Sequence, residues 1–217
     1  MFKDRSEAGT LLGRALVDGV RRPAVVLGVP RGGVVVAYEV ARELGAPLDV
    51  VMARKIGLPS NPELAIGAVT EDGQVVVDTG DAGRLPVEES YLQEQAARLA
   101  AEIRRRLDRY RAARPPVDLK GKTAVVVDDG IATGMTLAAA AAGLAAREPR
   151  EIVVAVPVAP PEARQRFREF AAYVCLEEPE PFYAVGQFYA DFRPVSDERV
   201  VALLRDAAHN PPQPGES

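Results

Sequence analysis

Short apolar runs rich in β-branched residues alternate along this chain with longer segments whose apolar residues have helical spacing. The runs cover residues 24–29, 48–53, 122–128, 152–158 and 173–176. This alternation is typical of parallel strands joined by crossover helices, because each parallel connection must carry the chain back across the sheet. We therefore predict an α/β fold in which these runs form one parallel sheet.

One part of the chain departs from this alternation. Residues 66–70 and 74–78 are apolar runs that flank Asp72 and Gly73, and an Asp-Gly pair between such runs favours a tight hairpin turn. We expect this inserted hairpin to be antiparallel or to lie at the edge of the sheet.

A long amphipathic helix is predicted over about residues 88–114, where apolar residues recur at steps of three and four before Pro115. It accounts for most of a helical insert at 79–116. The arginines near its end could contact RNA or could form a solvated face that complements the helix C-terminus; they are Arg104, Arg105, Arg106, Arg109, Arg111 and Arg114.

Length and composition indicate one globular domain over residues 1–217. The chain has 217 residues, of which 47% are hydrophobic, so it can bury a full core without metal or disulfide support. A single cysteine excludes an internal disulfide, and no apolar run reaches the roughly 18 residues of a membrane helix. We expect a cytoplasmic protein with no membrane partner. The formal net charge of −4 disfavours nucleic acid as a partner, and residues 210–217 should form a frayed tail.

The most informative string is VVVDDGIATGMT at residues 125–136. An apolar strand delivers Asp128 and Asp129 to its carboxyl end, where open parallel sheets place their ligands. Gly130 and Gly134 then permit a sharp turn into a helix, and the consecutive N–H groups of such a turn suit a phosphate. The two carboxylates suit a polyol or a magnesium ion, so the string favours a ribose 5-phosphate group. Taken alone, the aspartate pair could equally begin a turn and cap the helix.

This string resembles the signature of the type I phosphoribosyltransferases, enzymes that use 5-phosphoribosyl 1-diphosphate (PRPP). The resemblance covers residues 24–78 and 122–176, and it implies a parallel five-stranded Rossmann-like sheet with a small C-terminal hood. It implies that Asp128 and Asp129 hold the ribose hydroxyls and contact Mg²⁺ through Mg–PRPP. The remaining residues of the string that it assigns to substrate binding are Gly130, Ala132, Thr133, Gly134, Met135 and Thr136.

The string GVPRGG at residues 28–33 also follows a buried run and opens a helix, so it aims a second set of backbone donors at the same edge of the sheet. The family resemblance assigns this loop to the diphosphate, through Pro30, Arg31, Gly32 and Gly33. Arg31 would supply a positive charge for the leaving group. Without the resemblance, the string is a plain glycine turn between a strand and a helix.

Within residues 53–69, the basic pair Arg54 and Lys55 stands at a strand end, and the Gly, Pro, Ser and Asn that follow predict a mobile loop. The resemblance implies that a basic residue near this point contacts the diphosphate. Lys55 is the first candidate and Arg54 the second. Both could instead be solvated charges at a strand end.

Residues 177–194 form the candidate hood segment, since this stretch is dense in aromatic residues. Its rings could stack on a flat heterocycle, with Gln187 or Asp191 contacting the edge of that heterocycle. They could equally form a hydrophobic cluster that fixes the C-terminal segment. The aromatic residues concerned are Phe182, Tyr183, Phe188, Tyr189 and Phe192.

The resemblance implies a Mg²⁺-dependent enzyme that moves the phosphoribosyl group from PRPP to a nucleobase-like nitrogenous acceptor and releases diphosphate. Asp128, Asp129, Lys55 and Arg31 would be its catalytic residues. Ala132 stands where hypoxanthine-guanine enzymes carry an aspartate, which disfavours a 6-oxopurine acceptor. Two other functions remain open, a PRPP-sensing regulator that binds RNA without turnover and a phosphatase-like hydrolase. The long helix and hairpin are compatible with a homodimer.

Overall fold

The computed structural model describes residues 1–77 and 85–209, except for the side chain of Glu63. The strands are β1 (Ala24–Gly28), β2 (Leu48–Val50), β3 (Ala53–Leu58), β4 (Asn61–Thr70), β5 (Val75–Val77), β6 (Thr123–Val127), β7 (Glu151–Val158) and β8 (Ala172–Glu177). The α-helices are α1 (Arg5–Leu16), α2 (Gly32–Leu44), α3 (Glu89–Arg111), α4 (Met135–Gly143) and α5 (Asp197–His209). The predicted tail at 210–217, the start of the helical insert and the last residue of the predicted hairpin lie outside the described residues.

A five-stranded parallel sheet in the order β2-β1-β6-β7-β8 forms the centre of the molecule, which confirms the predicted α/β fold. All residues of β1 and β6 are buried because both faces of the sheet are covered. Val26 packs on the side of α1 and α2, and Val25 packs on the side of α4. Continuous apolar strands are typical of this arrangement.

The insert after β2 is a second sheet in which β3, β4 and β5 pair antiparallel, so the predicted hairpin is confirmed and gains a third strand. The prediction of a mobile loop after Lys55 was wrong, because β3 continues to Leu58 and β4 begins at Asn61. Lys55 pairs with Ala68 and Arg54 with Val69, and the register shifts on both sides of Gly57. Gly and Pro therefore mark an irregular ladder and its turn, and the strand pairing of β3 with β4 continues on both sides of the irregularity.

The buried carboxylate of Asp49 in β2 ties the insert to the central sheet. Its oxygens accept hydrogen bonds from the amides of Val50 and Val117 at 2.7 and 3.0 Å. They also accept from the guanidinium of Arg111 in α3, and Arg147 Nη2 lies 3.5 Å away. Asp49 is fully buried, so this set of donors replaces water completely.

Helix α1 and the hood segment cover the same edge of the sheet. The side chain of Asp4 begins α1 by accepting from the amides of Ser6 and Glu7 at 2.9 Å. Phe2 pairs with the hood segment, since its amide donates to Phe188 O at 2.8 Å. No strand or helix is predicted from the sequence for residues 1–22, and the position of the N-terminus beside the hood follows only from the structure.

In the part of the chain that the structure describes, every helix is too short or too polar to cross a lipid bilayer.

Candidate functional site

Two turns meet at the carboxyl edge of the central sheet. The first turn is residues 28–33, after β1, and the second turn is residues 128–134, after β6. The strands pair in parallel with Gly28 opposite Val127, and the amide of Val29 donates to Val127 O at 2.9 Å. The turns therefore lie side by side because their strands end at the same level.

The first turn touches the acidic pair Asp128 and Asp129 directly. A Cβ atom on Gly32 would overlap Asp129 Oδ2, and one on Gly33 would lie 2.7 Å from Asp128 Oδ1. Any larger residue at either position would displace a carboxylate. Glycine is therefore required for close approach, and the structure brings together these four residues that the sequence singled out.

The two carboxylates are withdrawn from water and repel each other. Burial raises the pKa of Asp128 well above its ordinary value, and the nearby charge of Asp129 raises it further. Burial also raises the pKa of Asp129, while Arg5 opposes this rise. The amide of Asp129 donates to Asp128 Oδ1 at 2.8 Å. The pair thus combines two acidic groups with one neighbouring cation, which is typical of a functional site.

Arg5 is a site residue that the sequence did not reveal. Its Nε atom lies 2.7 Å from Asp129 Oδ2, and its Nη1 atom donates to Arg193 O at 3.0 Å. Asp4 and Glu7 could have indicated a helix start, since an acidic N-cap followed three residues later by Glu is a known pattern. Nothing in the local sequence, however, places that helix beside residue 129.

The second turn forms a cradle of backbone N–H groups. Ile131 anchors it by donating to Val158 O at 2.9 Å, and Gly134 begins α4 with φ of 76°. The amide of Ala138 donates to Gly134 O in the first hydrogen bond of the helix, so the amides that precede Ala138 make no hydrogen bond within the helix. Within residues 1–77 and 85–209, the amides of Ala132 and Thr133 have no protein acceptor. These exposed residues can therefore bind an anion at the positive end of the helix.

The two residues beside this cradle, Met135 and Thr136, form the first turn of α4, and Gly130 sits under the hood segment. A Cβ on Gly130 would lie 2.5 Å from Val185 Cγ1. A groove of about 760 Å³ adjoins the cradle between α4, β5 and the segment after β7. The predicted phosphate-binding residues are therefore contiguous, with Ala132 and Thr133 exposed to a ligand and Gly134 and Met135 buried behind them.

The predicted basic residues lie in different surroundings. Arg31 is exposed at the start of α2, after the half-buried Pro30. Arg54 Nη2 lies 3.3 Å from Glu102 Oε1, so Arg54 connects β3 to α3. Lys55 is exposed on β3 and has an interaction partner within the protein. Successive side chains of a strand point to opposite faces, so Lys55 projects away from the face that Arg54 occupies.

The arginines near the end of α3 are largely engaged within the protein. Arg111 contacts Asp49, Arg109 lies 3.6 Å from Asp197, and Arg106 lies 3.9 Å from Glu102. Neither of the two sequence interpretations anticipated the contacts of Arg109 and Arg111, because their partners Asp197 and Asp49 come from distant parts of the chain.

The hood segment lies directly over the acidic pair. The hydroxyl of Tyr189 donates to Asp129 O at 2.6 Å. Phe182 packs against Phe188 with ring centroids 5.1 Å apart, whereas Tyr183 is 83% exposed. Most of these rings therefore form a hydrophobic cluster, and Tyr183 alone among them projects into solvent.

The two polar hood residues predicted to contact a heterocycle are engaged in local contacts. Gln187 Oε1 accepts from the amides of Tyr183 and Ala184 at 3.1 Å. Asp191 accepts three hydrogen bonds from the guanidinium of Arg193, at 2.9, 3.1 and 2.6 Å. Both side chains shape the hood loop itself.

Comparison with known proteins shows the family to which the chain is similar. The family model for the phosphoribosyl transferase domain matches residues 8–193. A Mycobacterium tuberculosis protein named "Putative phosphoribosyl transferase Rv0571c" is 43% identical over 96% of this chain. The chain spans about half of that relative, since the match covers 47% of its length. The crystal structure of TT1426 from Thermus thermophilus is 50% identical, with a TM-score of 0.82 over 94% of this chain and 98% of that one.

Proposed function

This chain belongs to the phosphoribosyl transferase domain family, and we propose that it binds PRPP where the two turns meet and transfers the phosphoribosyl group to a nitrogenous acceptor. The observation that carries the proposal is the direct approach of Gly32 and Gly33 to Asp128 and Asp129. Through this contact, the acidic pair lies between the backbone N–H groups of the first turn and those of the second turn. PRPP has matching parts, since it carries a phosphate, a ribose diol and a diphosphate.

The substrate would span the two turns. Its 5-phosphate would bind the cradle at residues 132–136, and its diphosphate would bind the first turn beside Gly32 and Gly33. The ribose hydroxyls between them would donate to Asp128 and Asp129. This arrangement satisfies the open amides and carboxylates of the site at the same time.

The reaction would need positioning and charge stabilisation more than covalent catalysis. The C1′–O bond breaks and its electron pair leaves with diphosphate, while the ring becomes cation-like. The acceptor nitrogen then forms the new bond to C1′ from the opposite face and loses its proton. Arg31 and Lys55 would stabilise charge on the departing oxygens, and the two aspartates would hold the ring.

The acidic pair also fits a magnesium ion that arrives with the substrate. No group of three or more His, Cys, Asp or Glu side chains that could hold a metal occurs among the residues the structure describes. Mg²⁺ commonly takes one or two protein carboxylates together with substrate phosphates, and Asp128 and Asp129 can provide those carboxylates. When bound, the ion would neutralise part of the diphosphate charge.

The acceptor side of the site is the hood segment. Tyr183 offers an exposed aromatic face next to a turn that Gln187 holds in shape. A flat heterocycle could stack there. Ala132 provides no carboxylate, so we propose a nucleobase-like acceptor other than a 6-oxopurine.

Thermal unfolding provides the first test of PRPP binding. Mg²⁺ with PRPP should raise the Tm, because a ligand at about 100 times its Kd stabilises the folded state by about 2.7 kcal/mol. The double variant Asp128→Asn with Asp129→Asn should lose this shift. Asp118→Asn is the matched control, since its side chain is 74% exposed. An unchanged shift in the double variant would contradict the proposed role of the acidic pair.

Diphosphate release tests the transferase activity separately. Purines, pyrimidines, orotate and nicotinate should be offered with Mg²⁺ and PRPP, and at least one heterocycle should release diphosphate in proportion to nucleotide formed. If PRPP binds but no acceptor causes diphosphate release, the chain would be a PRPP sensor and not a transferase. Phosphate release from a generic phosphomonoester would instead indicate a hydrolase.

A further inference from the structure

Arg5 places a cation against both turns at once. Its Nε atom is 2.7 Å from Asp129 Oδ2, and a Cβ atom on Gly32 would lie 2.8 Å from the same nitrogen. The side chain is 11% exposed, so little water surrounds it. A diphosphate seated on the first turn would therefore lie beside the Arg5 guanidinium.

The guanidinium is held in a fixed orientation. Its Nη1 atom donates to Arg193 O at 3.0 Å, and its central carbon lies 3.8 Å from the centre of the Phe192 ring. The backbone of Arg5 is fixed as well, because Asp4 caps α1 immediately before it. A group already ordered in this way loses little conformational entropy when it binds a ligand.

The guanidinium keeps N–H groups for a ligand. An arginine side chain presents five N–H donors in a planar fork. Nε is used by Asp129 and Nη1 by Arg193, whereas Nη2 has no acceptor among the described residues. Arg5 can therefore bind a phosphate oxygen without giving up Asp129.

The positive charge of the Arg5 guanidinium can offset the negative charges that meet at this site. A diphosphate on the first turn comes close to the two carboxylates of the acidic pair, and their repulsion must be offset by a cation. Arg31 is exposed at the start of α2, whereas Arg5 is in contact with the acidic pair. We infer that Arg5 is a substrate-binding residue that donates hydrogen bonds to the diphosphate of PRPP while it holds Asp129. This inference rests on the proposed function.

Binding of two ligands tests the inference, because ribose 5-phosphate lacks the diphosphate that Arg5 would contact. In Arg5→Gln, the Kd for Mg–PRPP measured by calorimetry should rise about 100-fold, as expected for loss of a charge-assisted contact. The Kd for ribose 5-phosphate should rise at most about tenfold, because Arg5 positions Asp129 for the ribose but would not contact this ligand. In Arg5→Lys, the Kd for Mg–PRPP should rise only about tenfold, since lysine keeps the charge but not the fork.

Arg14→Gln is the matched control, because Arg14 lies on the same helix, is 66% exposed and should leave both affinities unchanged. Equal losses for the two ligands in Arg5→Gln, or no loss for PRPP, would overturn the inference. If Arg5→Gln does not unfold cooperatively, the test rests on Arg5→Lys. A Kd for Mg–PRPP equal to the wild-type value in Arg5→Lys would then overturn the inference. Failure of the proposed function is distinct, since the wild-type chain would then not bind PRPP.

Discussion

Asp49 and Asp129 are both aspartates largely withdrawn from solvent, yet their surroundings differ. Asp49 is surrounded by two backbone amides and the cations Arg111 and Arg147. Asp129 has Arg5 as its cation and a second carboxylate, Asp128, beside it. The first carboxylate is fully compensated by the protein and serves the fold. The second retains, with Asp128, an excess of negative charge, which a ligand with hydroxyl groups or a bound cation can relieve.

The largest effect on stability is expected for Asp49→Asn. This change leaves Arg111 and Arg147 without their buried anion, and breaking such a pair costs about 3–5 kcal/mol. Denaturant unfolding should report that loss in the free energy of unfolding. The Kd for Mg–PRPP should stay near the wild-type value wherever the variant is folded. A stability loss below about 1 kcal/mol would contradict the structural role of Asp49.

Gly32→Ala should damage ligand binding more than folding. The new methyl group would overlap Asp129 Oδ2, so the acidic pair must move. We expect the Kd for Mg–PRPP to rise about 100-fold, or ~2.7 kcal/mol. The matched control is Gly19→Ala, because a Cβ on Gly19 meets nothing within 4 Å. A Kd for Mg–PRPP equal to the wild-type value in Gly32→Ala would contradict the proposal that close approach of the first turn positions the acidic pair for binding.

Asp128→Asn should make the unliganded protein more stable at neutral pH. The folded pKa of Asp128 is raised, so the folded state binds the proton more tightly than the unfolded chain does. Wild-type stability therefore falls as pH rises from the ordinary carboxyl pKa of about 4 toward the raised folded value. The variant should be about 1 kcal/mol more stable than wild type above that window, and the difference should shrink below it.

Denaturant unfolding across this pH range measures the difference, with Asp118→Asn as the exposed control. A variant that is less stable than wild type at every pH would show that Asp128 supports the fold as Asp49 does.

Tyr189→Phe should have the smallest effect. It removes the hydrogen bond from the Tyr189 hydroxyl to Asp129 O, which contributes about 1 kcal/mol to stability. Because this bond reaches the backbone and not the carboxylate, the Kd for Mg–PRPP should change by less than about threefold. A tenfold loss of affinity would show that the hood positions the acidic pair more tightly than proposed.

The same contrast explains which features could be predicted from the sequence. The parallel sheet and the site role of the string that contains Asp128 and Asp129 could be predicted from the sequence, because strand periodicity and turn glycines are local properties. Asp49 and Arg5 were not singled out, because their partners lie 62 and 124 residues away along the chain. The mobile loop predicted after Lys55 failed for a related reason, since local composition does not reveal that β3 pairs with β4.

A crystal structure of this chain with Mg²⁺ and PRPP would decide whether the ligand spans the two turns. We expect the 5-phosphate to lie within hydrogen-bond distance of the amides at residues 132–136. We also expect the diphosphate to lie on Gly32 and Gly33, with Asp128 and Asp129 accepting from the ribose hydroxyls. Electron density for PRPP that leaves either turn without a phosphate contact, or that places the ligand away from the acidic pair, would contradict the proposed binding mode.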